Sequence, residues 1–597
     1  MRFFDKFMLL AGCAALGACG GGGEGVVSTP APVPAPTPSP TPTPTPTGTA
    51  ISNLTASETF SDEAATADVS LATADGFVQT TASSLGPMTV SYDAATGNYT
   101  VSTDGRAQTF GLADEQPQRW DGERRFTKAG DSEYLTLVTT PYLSTEFSNK
   151  YVGMGYWQRN ALSAGMQQTY FSTFTFGFDT PVGAVPRSGS AHWLTDIFGI
   201  LSVPDKEWRV IQGQGDFTVD FADGTFVSKA NLSESNIVTN GGATGSLRLS
   251  AGGFLDSSSG FSGLISYNGV DTSLQGSIAG SFYGPNAEEI GAAFSAAGAG
   301  ATLTGALTGQ QSSVGSTSDG VRNISLTNLL ADQRFFGSTI WLGWTTIERE
   351  AGNSGLLRGM SAGTANYTLV GGLQVIGFDE GRYDVQAADI DADGPANFTT
   401  YRSSRHGNPL TVRTYKIGDS NSEIALTYSS FVNWQSSEDR GIPSGQTTET
   451  FYRRYLVYGL PTDVELTAGR TGHATYNGVV HGIGANMRSA TYDVGGTSHF
   501  AVDFSAGSYD GRLMLTATDD VGTMSDFGQW TFAGTLANGG LVEAPLVGPG
   551  TYFPNSKIYP TFYGPTGQEI GATFNLGIGL PENEDSIEVV GVTLAKE

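Results

Sequence analysis

Cysteine is almost absent from this chain of 597 residues, because its two cysteines, Cys13 and Cys19, both lie near the N-terminus. The remainder can therefore hold no disulfide bond, cysteine-ligated zinc site, iron–sulfur cluster or catalytic thiol. Stability must come from strand pairing and from burial of apolar side chains.

Positive charge is scarce as well, since 31 Lys and Arg stand against 58 Asp and Glu, which gives a formal net charge of −27. A surface this acidic repels phosphate backbones, so we predict no nucleic-acid partner. The charge serves either solubility or attraction to a basic partner surface.

Charged residues of both signs make up only 15% of the chain, whereas 81 residues are glycine. Helical bundles and coiled coils are rich in Ala, Glu, Lys, Leu and Arg, which this composition does not match. Many short strands joined by glycine-rich turns fit it better. The chain is too long for one ordinary core, so several domains are expected.

Long apolar runs are also missing, and the sequence predicts no membrane-spanning helix. At the N-terminus, Arg2 and Lys6 precede a short apolar run at residues 7–16. A positive start, a short apolar run and small residues before a cleavage point are typical of a secretory signal. We therefore predict that residues 1–18 are a signal peptide.

The end of this signal, Leu-Gly-Ala-Cys at residues 16–19, resembles the lipobox of bacterial lipoproteins. The resemblance implies cleavage before Cys19 and lipid on its thiol, which anchors the chain to a membrane. Residues 10–13 fit the same pattern behind a shorter apolar run, and an ordinary secreted protein is the other alternative. Gly20 is not an acidic retention signal, which favours the outer membrane.

Proline occupies every second position from residue 30 to residue 46. Each proline fixes φ and removes a backbone donor, so this segment is expected to be extended polyproline II. At ~3.1 Å per residue it spans roughly 50 Å. We predict that residues 19–50 form a Gly/Pro-rich linker that holds the folded domains clear of the membrane.

The chain contains an internal repeat. Residues 282–294 recur at 562–574, and both segments keep the pattern Phe-Tyr-Gly-Pro-x-x-x-Glu-Ile-Gly-x-x-Phe. Other segments match in the same order, namely 188–193 with 471–476 and 217–221 with 500–504. The chain is therefore a tandem duplication in which each copy has at least the size of a domain.

Alternation of apolar and polar residues, as at residues 217–221, predicts strands in the later part of each copy. Strands without covering helices must protect their edges, and a closed barrel does so most fully. Because both copies keep the repeated motif, we assign it a structural role. Its residues are Phe282, Tyr283, Gly284, Pro285, Glu289 and Gly291 in the first copy, and Phe562, Tyr563, Gly564, Pro565, Glu569 and Gly571 in the second.

The motif, its duplication, the lipobox and the linker together resemble the transferrin-binding protein B-like surface lipoproteins of bacteria, over residues 55–576. The resemblance implies an all-β fold in which each lobe pairs a β-rich handle domain with an eight-stranded antiparallel β-barrel. We place the boundaries at 51–185 and 310–468 for the handle domains, 186–297 and 469–576 for the barrels, and 577–597 for a C-terminal tail.

The same resemblance implies a binding protein rather than an enzyme, without a cofactor, on the outer membrane and usually at the cell surface. Its implied partners are a protein ligand, often one that carries iron or haem, and an outer-membrane transporter that receives the cargo. An adhesive or structural surface protein is the alternative. The sequence does not indicate which residues contact the ligand.

Three weaker motifs have plain alternatives. Asp389, Asp391 and Asp393 have the opening spacing of a calcium loop, but Thr400 stands where the bidentate Glu belongs, so a simple turn is the other interpretation. Ser361 lies in a Gly-x-Ser-x-Gly pattern that would suit a hydrolase only at a strand-to-helix turn. The histidines form no metal-binding pair and are expected to be exposed, with a haem ligand from one of them or from a loop Tyr as the alternative; they are His192, His406, His473, His481 and His499.

Overall fold

A computed structural model describes residues 50–597, except for a set of short gaps. The gaps are 129, 131, 143–147, 240, 242–246, 313–322, 330–331, 348–353, 371–372, 379–380, 406, 442–446, 489, 550–554 and 581–582. The predicted signal peptide, Cys19 and the linker up to residue 49 lie outside the described residues. Within those residues, no helix has the length and apolarity needed to cross a membrane.

The described residues form two compact units, which divide between residues 322 and 323. Each unit contains a nine-stranded antiparallel sheet followed by an eight-stranded antiparallel barrel. The predicted all-β fold, duplicated as handle plus barrel, is therefore confirmed.

The first handle sheet has the strand order β4-β3-β2-β1-β9-β8-β7-β6-β5. Its strands are β1 Glu58–Ala72, β2 Val78–Asp93, β3 Asn98–Thr103, β4 Arg106–Phe110, β5 Glu115–Gln116, β6 Glu123–Lys128, β7 Glu133–Val138, β8 Val152–Ser163 and β9 Met166–Gly177. The edge strands β4 and β5 are joined by a 3₁₀ turn, Leu112–Asp114, so the sheet must curl. Lys128 Nζ donates to the carbonyl of Thr109 at 2.8 Å across the gap between the two edges. The curled sheet encloses an apolar core that includes Trp157 and Phe174.

The first barrel follows a second 3₁₀ turn, Val182–Ala184. Its strands are β10 Ser190–Ser202, β11 Arg209–Asp220, β12 Thr225–Asn236, β13 Leu247–Leu255, β14 Gly260–Asn268, β15 Ser273–Tyr283, β16 Glu289–Gly298 and β17 Ala301–Gln311. β17 pairs with β10 and closes the barrel, so no strand edge remains open. Alternate side chains fill the interior, where the rings of Phe217 and Phe226 stack at 4.9 Å between centroids.

The second handle sheet repeats the order of the first, as β21-β20-β19-β18-β26-β25-β24-β23-β22. Its strands are β18 Gln333–Ile347, β19 Ser354–Val370, β20 Leu373–Phe378, β21 Gly381–Val385, β22 Ile390–Asp391, β23 Phe398–Arg405, β24 Asn408–Tyr415, β25 Ser429–Gly441 and β26 Thr447–Gly459. Two 3₁₀ turns, Ala387–Asp389 and Gly418–Ser420, lie in its connections.

The second barrel begins after a short helix, α1 Val464–Ala468. Its strands are β27 His473–Asn486, β28 Thr491–Asp503, β29 Ser508–Asp519, β30 Met524–Ala537, β32 Ala544–Val547, β33 Lys557–Tyr563, β34 Glu569–Ile578 and β35 Ile587–Lys596, with β31 Gly540–Leu541 attached to β30. The pairing of β35 with β27 and of β29 with β30 closes this barrel as well.

Two predicted boundaries are wrong. The first barrel does not end at residue 297, because β17, Ala301–Gln311, is the strand that closes it. Residues 577–597 are not a tail, because they contain β35, Ile587–Lys596, which pairs with both β27 and β34. Without these last strands each barrel would leave two open edges.

Candidate functional site

The repeated motif lies where each barrel meets its own handle sheet. Glu289 starts β16, and its buried carboxylate accepts three backbone N–H groups of the handle. The donors are Lys150 at 2.7 Å, Tyr151 at 2.8 Å and Val152 at 2.9 Å. These residues enter β8, so one barrel side chain fixes the start of a handle strand.

Glu569 makes the same junction in the second unit. It accepts the backbone N–H groups of Thr427 at 2.7 Å, Tyr428 at 3.1 Å and Ser429 at 2.8 Å. The hydroxyl of Ser429 adds a fourth hydrogen bond at 2.8 Å. Burial raises the pKa of Glu569, while the N–H donors act to lower it. We call each Glu and its three amides the clasp.

The glycine of the motif permits this close approach. Gly284 and Gly564 have φ of 88° and 94°, a region that favours glycine. A Cβ on Gly284 would lie 2.6 Å from Cδ2 of Tyr151, and one on Gly564 would lie 2.7 Å from Cδ2 of Tyr428. The turn therefore sets its backbone directly against a handle tyrosine.

Two threonines complete the junction and were not found from the sequence. The Thr180 hydroxyl donates to the carbonyl of Gly284 at 2.7 Å, and the Thr462 hydroxyl donates to that of Gly564 at 2.6 Å. Both residues lie between handle and barrel in linkers without regular alternation. Each lies three residues after the glycine that ends the last strand of its handle sheet, Gly177 or Gly459, and this shared position was the one signal available.

The motif's phenylalanine points the other way, into the barrel. The Phe282 ring lies 5.6 Å from that of Trp193, and the Phe562 ring lies 6.1 Å from that of Tyr476. A motif with one end in the barrel core and the other on the handle couples the two domains of a unit.

The first junction contains an acid that the second lacks. The Tyr283 hydroxyl donates to Asp62, whose second carboxylate oxygen is shielded from solvent and has no hydrogen-bond partner among the described residues. Burial raises the pKa of Asp62 to about 8. Strand pairing shows which residues correspond in the two units. In the first handle Ala64 pairs with Phe174, and in the second Thr339 pairs with Leu456. Phe174 and Leu456 each lie three residues before the glycine that ends the strand, so Ala64 and Thr339 are equivalent positions. By this register, Gly337 takes the place of Asp62 in the second unit.

The most distinctive exposed surface of the first handle is its tip, which we define as residues 111–122. Leu112 is 60% exposed and Trp120 is 42% exposed. Exposed apolar and indole side chains are typical of protein interfaces. An ion pair, Arg124 Nε to Glu115 Oε1 at 2.8 Å, fixes the base of the tip. A firmly held tip loses little conformational entropy on binding.

The corresponding tip of the second unit, residues 386–397, differs at both positions. Ala387 begins its 3₁₀ turn where Leu112 begins the first. Its loop also has six residues between the paired strands, and the fourth is Pro395 in place of Trp120. The two tips therefore share a backbone plan and present different side chains.

The acidic triplet is engaged in local contacts. Asp389 accepts the backbone N–H of Gln386 at 2.9 Å, and Asp391 accepts Nε–H of Arg402 at 2.6 Å and the N–H of Asp393 at 3.2 Å. Among the described residues, no group of three His, Cys, Asp or Glu side chains could hold a metal ion. The calcium site stays a prediction.

Ser361 lies inside strand β19, paired with Trp341, and is exposed. A nucleophile elbow requires a strand-to-helix turn, which this position does not provide. The hydrolase alternative therefore gains no support from the local geometry.

Three of the described histidines, His192, His481 and His499, are half-buried, contrary to the expectation of exposure. His192 Nε2 lies 2.7 Å from Asp216 Oδ1, and His481 Nε2 lies 3.0 Å from Glu423 Oε2. His473 is 77% exposed, as expected, and His406 lies outside the described residues.

No family model matches the chain, and no curated relative was found. Among solved structures, transferrin binding protein B from Haemophilus parasuis is 16% identical, with 77% of this chain and 85% of that chain covered and a TM-score of 0.25. The protein of the same name from Neisseria meningitidis is 16% identical, with 76% and 86% covered and a TM-score of 0.25. The N-lobe of lactoferrin binding protein B from Moraxella bovis is 13% identical, with 28% and 78% covered and a TM-score of 0.21. Because these TM-scores are low, the fold is assigned from the strand order observed in this chain and not from these structures.

Proposed function

We propose that this chain is an outer-membrane lipoprotein that displays two handle–barrel units at the cell surface and captures a protein ligand. The lipid on Cys19 supplies the anchor, and the proline-rich linker supplies the reach. The tip of the first handle, residues 111–122, makes the first contact with the ligand.

The observation that carries this proposal is the exposed pair Leu112 and Trp120 on a tip whose base is fixed by an ion pair. Tryptophan is enriched among the residues that dominate binding energy in protein interfaces. The formal net charge of −27 supports a ligand with a basic surface around an apolar contact. The resemblance of the repeated motif, the lipobox and the linker to transferrin-binding protein B-like lipoproteins supports an iron- or haem-carrying protein as the ligand and an outer-membrane transporter as its recipient.

A pull-down with the detergent-solubilised full chain tests which protein it binds. Pull-downs from iron-replete and iron-starved medium should recover an iron- or haem-carrying protein with the wild type. Trp120→Ala should weaken that binding at least about tenfold, because it removes one hot-spot side chain. Leu162→Ala is the matched control, because Leu162 is 71% exposed in the same unit but lies in the β8–β9 hairpin. Equal losses in both variants would refute the tip as the site.

Location is tested separately by protease treatment of intact cells. Cleavage of both units in intact cells, together with release of the Cys19→Ala variant from the membrane fraction, is the expected result. Units that are cut only after the outer membrane is opened would place the protein in the periplasm. Surface exposure with binding only to glycans or matrix would favour the adhesive alternative.

A further inference from the structure

A single histidine connects the second barrel to its handle through a cage of aromatic rings. His481 lies on β27, and its ring centroid is 5.4 Å from Phe398, 5.3 Å from Tyr415 and 5.4 Å from Phe431. All three rings belong to the handle sheet. The side chain of His481 is only 24% exposed.

One carboxylate meets the histidine in this cage. Glu423 Oε2 lies 3.0 Å from His481 Nε2, and the same oxygen accepts the Tyr415 hydroxyl at 2.7 Å. Glu423 belongs to the loop 416–428, which runs from β24 to β25. The imidazole therefore binds this loop to the barrel.

The duplication supplies the matching residue in the first unit. His481 comes five residues after Tyr476, and Phe198 comes five residues after Trp193, its partner in the repeat; a glycine follows each of them. Phe198 also packs on handle aromatics, 5.0 Å from Tyr156. An apolar contact in one copy is therefore a titratable contact in the other.

We propose that His481 is a pH-sensitive latch, in which the neutral imidazole holds loop 416–428 on the second barrel and protonation in mildly acidic solution releases that loop. A protonated ring would be a charge among three aromatic faces with one carboxylate to balance it. The described residues provide no second hydrogen-bond partner for the ring.

The direction follows from the electrostatics. Burial lowers the pKa of His481 below 6.5, although Glu423 acts in the opposite sense. The unfolded or released state therefore binds the proton more readily than the latched state. Stability from the latch is fully present above pH 6.5 and is lost as the pH falls below it.

Besides His481, the charged groups that belong to this loop or donate to or accept from it include Glu423, Lys596 and Glu569. Burial tends to raise the pKa of Glu423, but its Tyr415 and His481 partners lower it overall, so it stays anionic in this range. Lys596 donates to the carbonyl of Ala425 at 3.0 Å. Glu569 holds Thr427 and Tyr428 at the end of the loop, so release is confined to residues 416–426 and does not unfold the unit.

Hydrogen exchange of the amides in 416–426, on the full chain in detergent at pH 7.5 and pH 5.5, measures the release. After correction for intrinsic exchange, wild-type protection should fall by up to about tenfold per pH unit, the limit for one linked proton. His481→Phe restores the residue of the first copy and should remove this pH dependence. An equal loss of amide protection in the wild type and in His481→Phe, or stronger wild-type protection at pH 5.5, would overturn the latch.

A second measurement does not depend on how His481→Phe folds. Exchange of the imidazole C2 hydrogen, followed by mass spectrometry, gives the pKa of His481 in the folded wild type and in urea. We expect the folded value to be lower, and to fall further in Glu423→Gln, which removes the opposing charge. A folded value at or above the value in urea, or one unchanged in Glu423→Gln, would refute the proposal.

Discussion

Removal of the clasp carboxylate in the second unit should separate its barrel from its handle. Glu569→Ala leaves three backbone N–H groups, at Thr427, Tyr428 and Ser429, without their acceptor. An unsatisfied buried donor costs about 1–3 kcal/mol, and partial entry of water makes the sum less than additive. We expect a loss of about 3–6 kcal/mol, which is a large part of the ~5–15 kcal/mol that stabilises an ordinary domain.

The assay is urea titration of the full chain, read by hydrogen exchange at residues 427–429 and, as an internal reference, at 150–152 in the first unit. Only the second site should lose protection in Glu569→Ala. Glu288→Gln is the matched control, because Glu288 Oε2 accepts the N–H of Asn286 at 2.8 Å just as Gln568 Oε1 accepts that of Thr566 at 3.0 Å. The control should change stability by less than about 0.5 kcal/mol. A loss below about 1 kcal/mol in Glu569→Ala would show that the hydrogen bonds do not hold the junction.

Two further substitutions probe the junctions. Gly564→Ala should cost about 1–3 kcal/mol in urea unfolding, because the left-handed backbone strains an alanine and its Cβ would meet Tyr428; an unchanged midpoint would refute this. Asp62→Asn tests pH dependence: burial raises the pKa of Asp62 from 3.8 to about 8, so the linked stability is lost between these two pH values, and from pH 6 to pH 8 the first unit should lose stability in the wild type and not in the variant. Thermal unfolding across that range measures the difference, and identical profiles would contradict the assignment.

The duplicated closed barrels could be predicted from the sequence, but the strands that close them could not. The repeated motif and the alternation at residues 217–221 are local patterns that a strand period reveals. β17 and β35 close their barrels by pairing with β10 and β27, which are distant in the chain. Such hydrogen bonds join backbone groups and leave no side-chain signature, so both last strands were missed.

The partners of the motif were hidden for the same reason. Glu289 was identified from the repeat, but its donors are backbone amides at 150–152, which any residue could supply. Leu112 and Trp120 lie among polar residues with no periodicity, so the sequence does not indicate that they are exposed. They share one tip because the two edges of the first handle sheet meet there.

The two copies together separate structural residues from functional ones. Where both copies keep a residue, as with Glu289 and Glu569, the contact is the same junction in each unit. Where they differ, the backbone is alike and the side chain changes. Phe198 of the first barrel packs on handle aromatics, and His481 takes its place in the second barrel. The first tip has Trp120 where the second has Pro395, which places the large exposed aromatic in one unit only. Ligand capture and pH response are therefore expected to reside in different units, so a variant that abolishes one should leave the other intact.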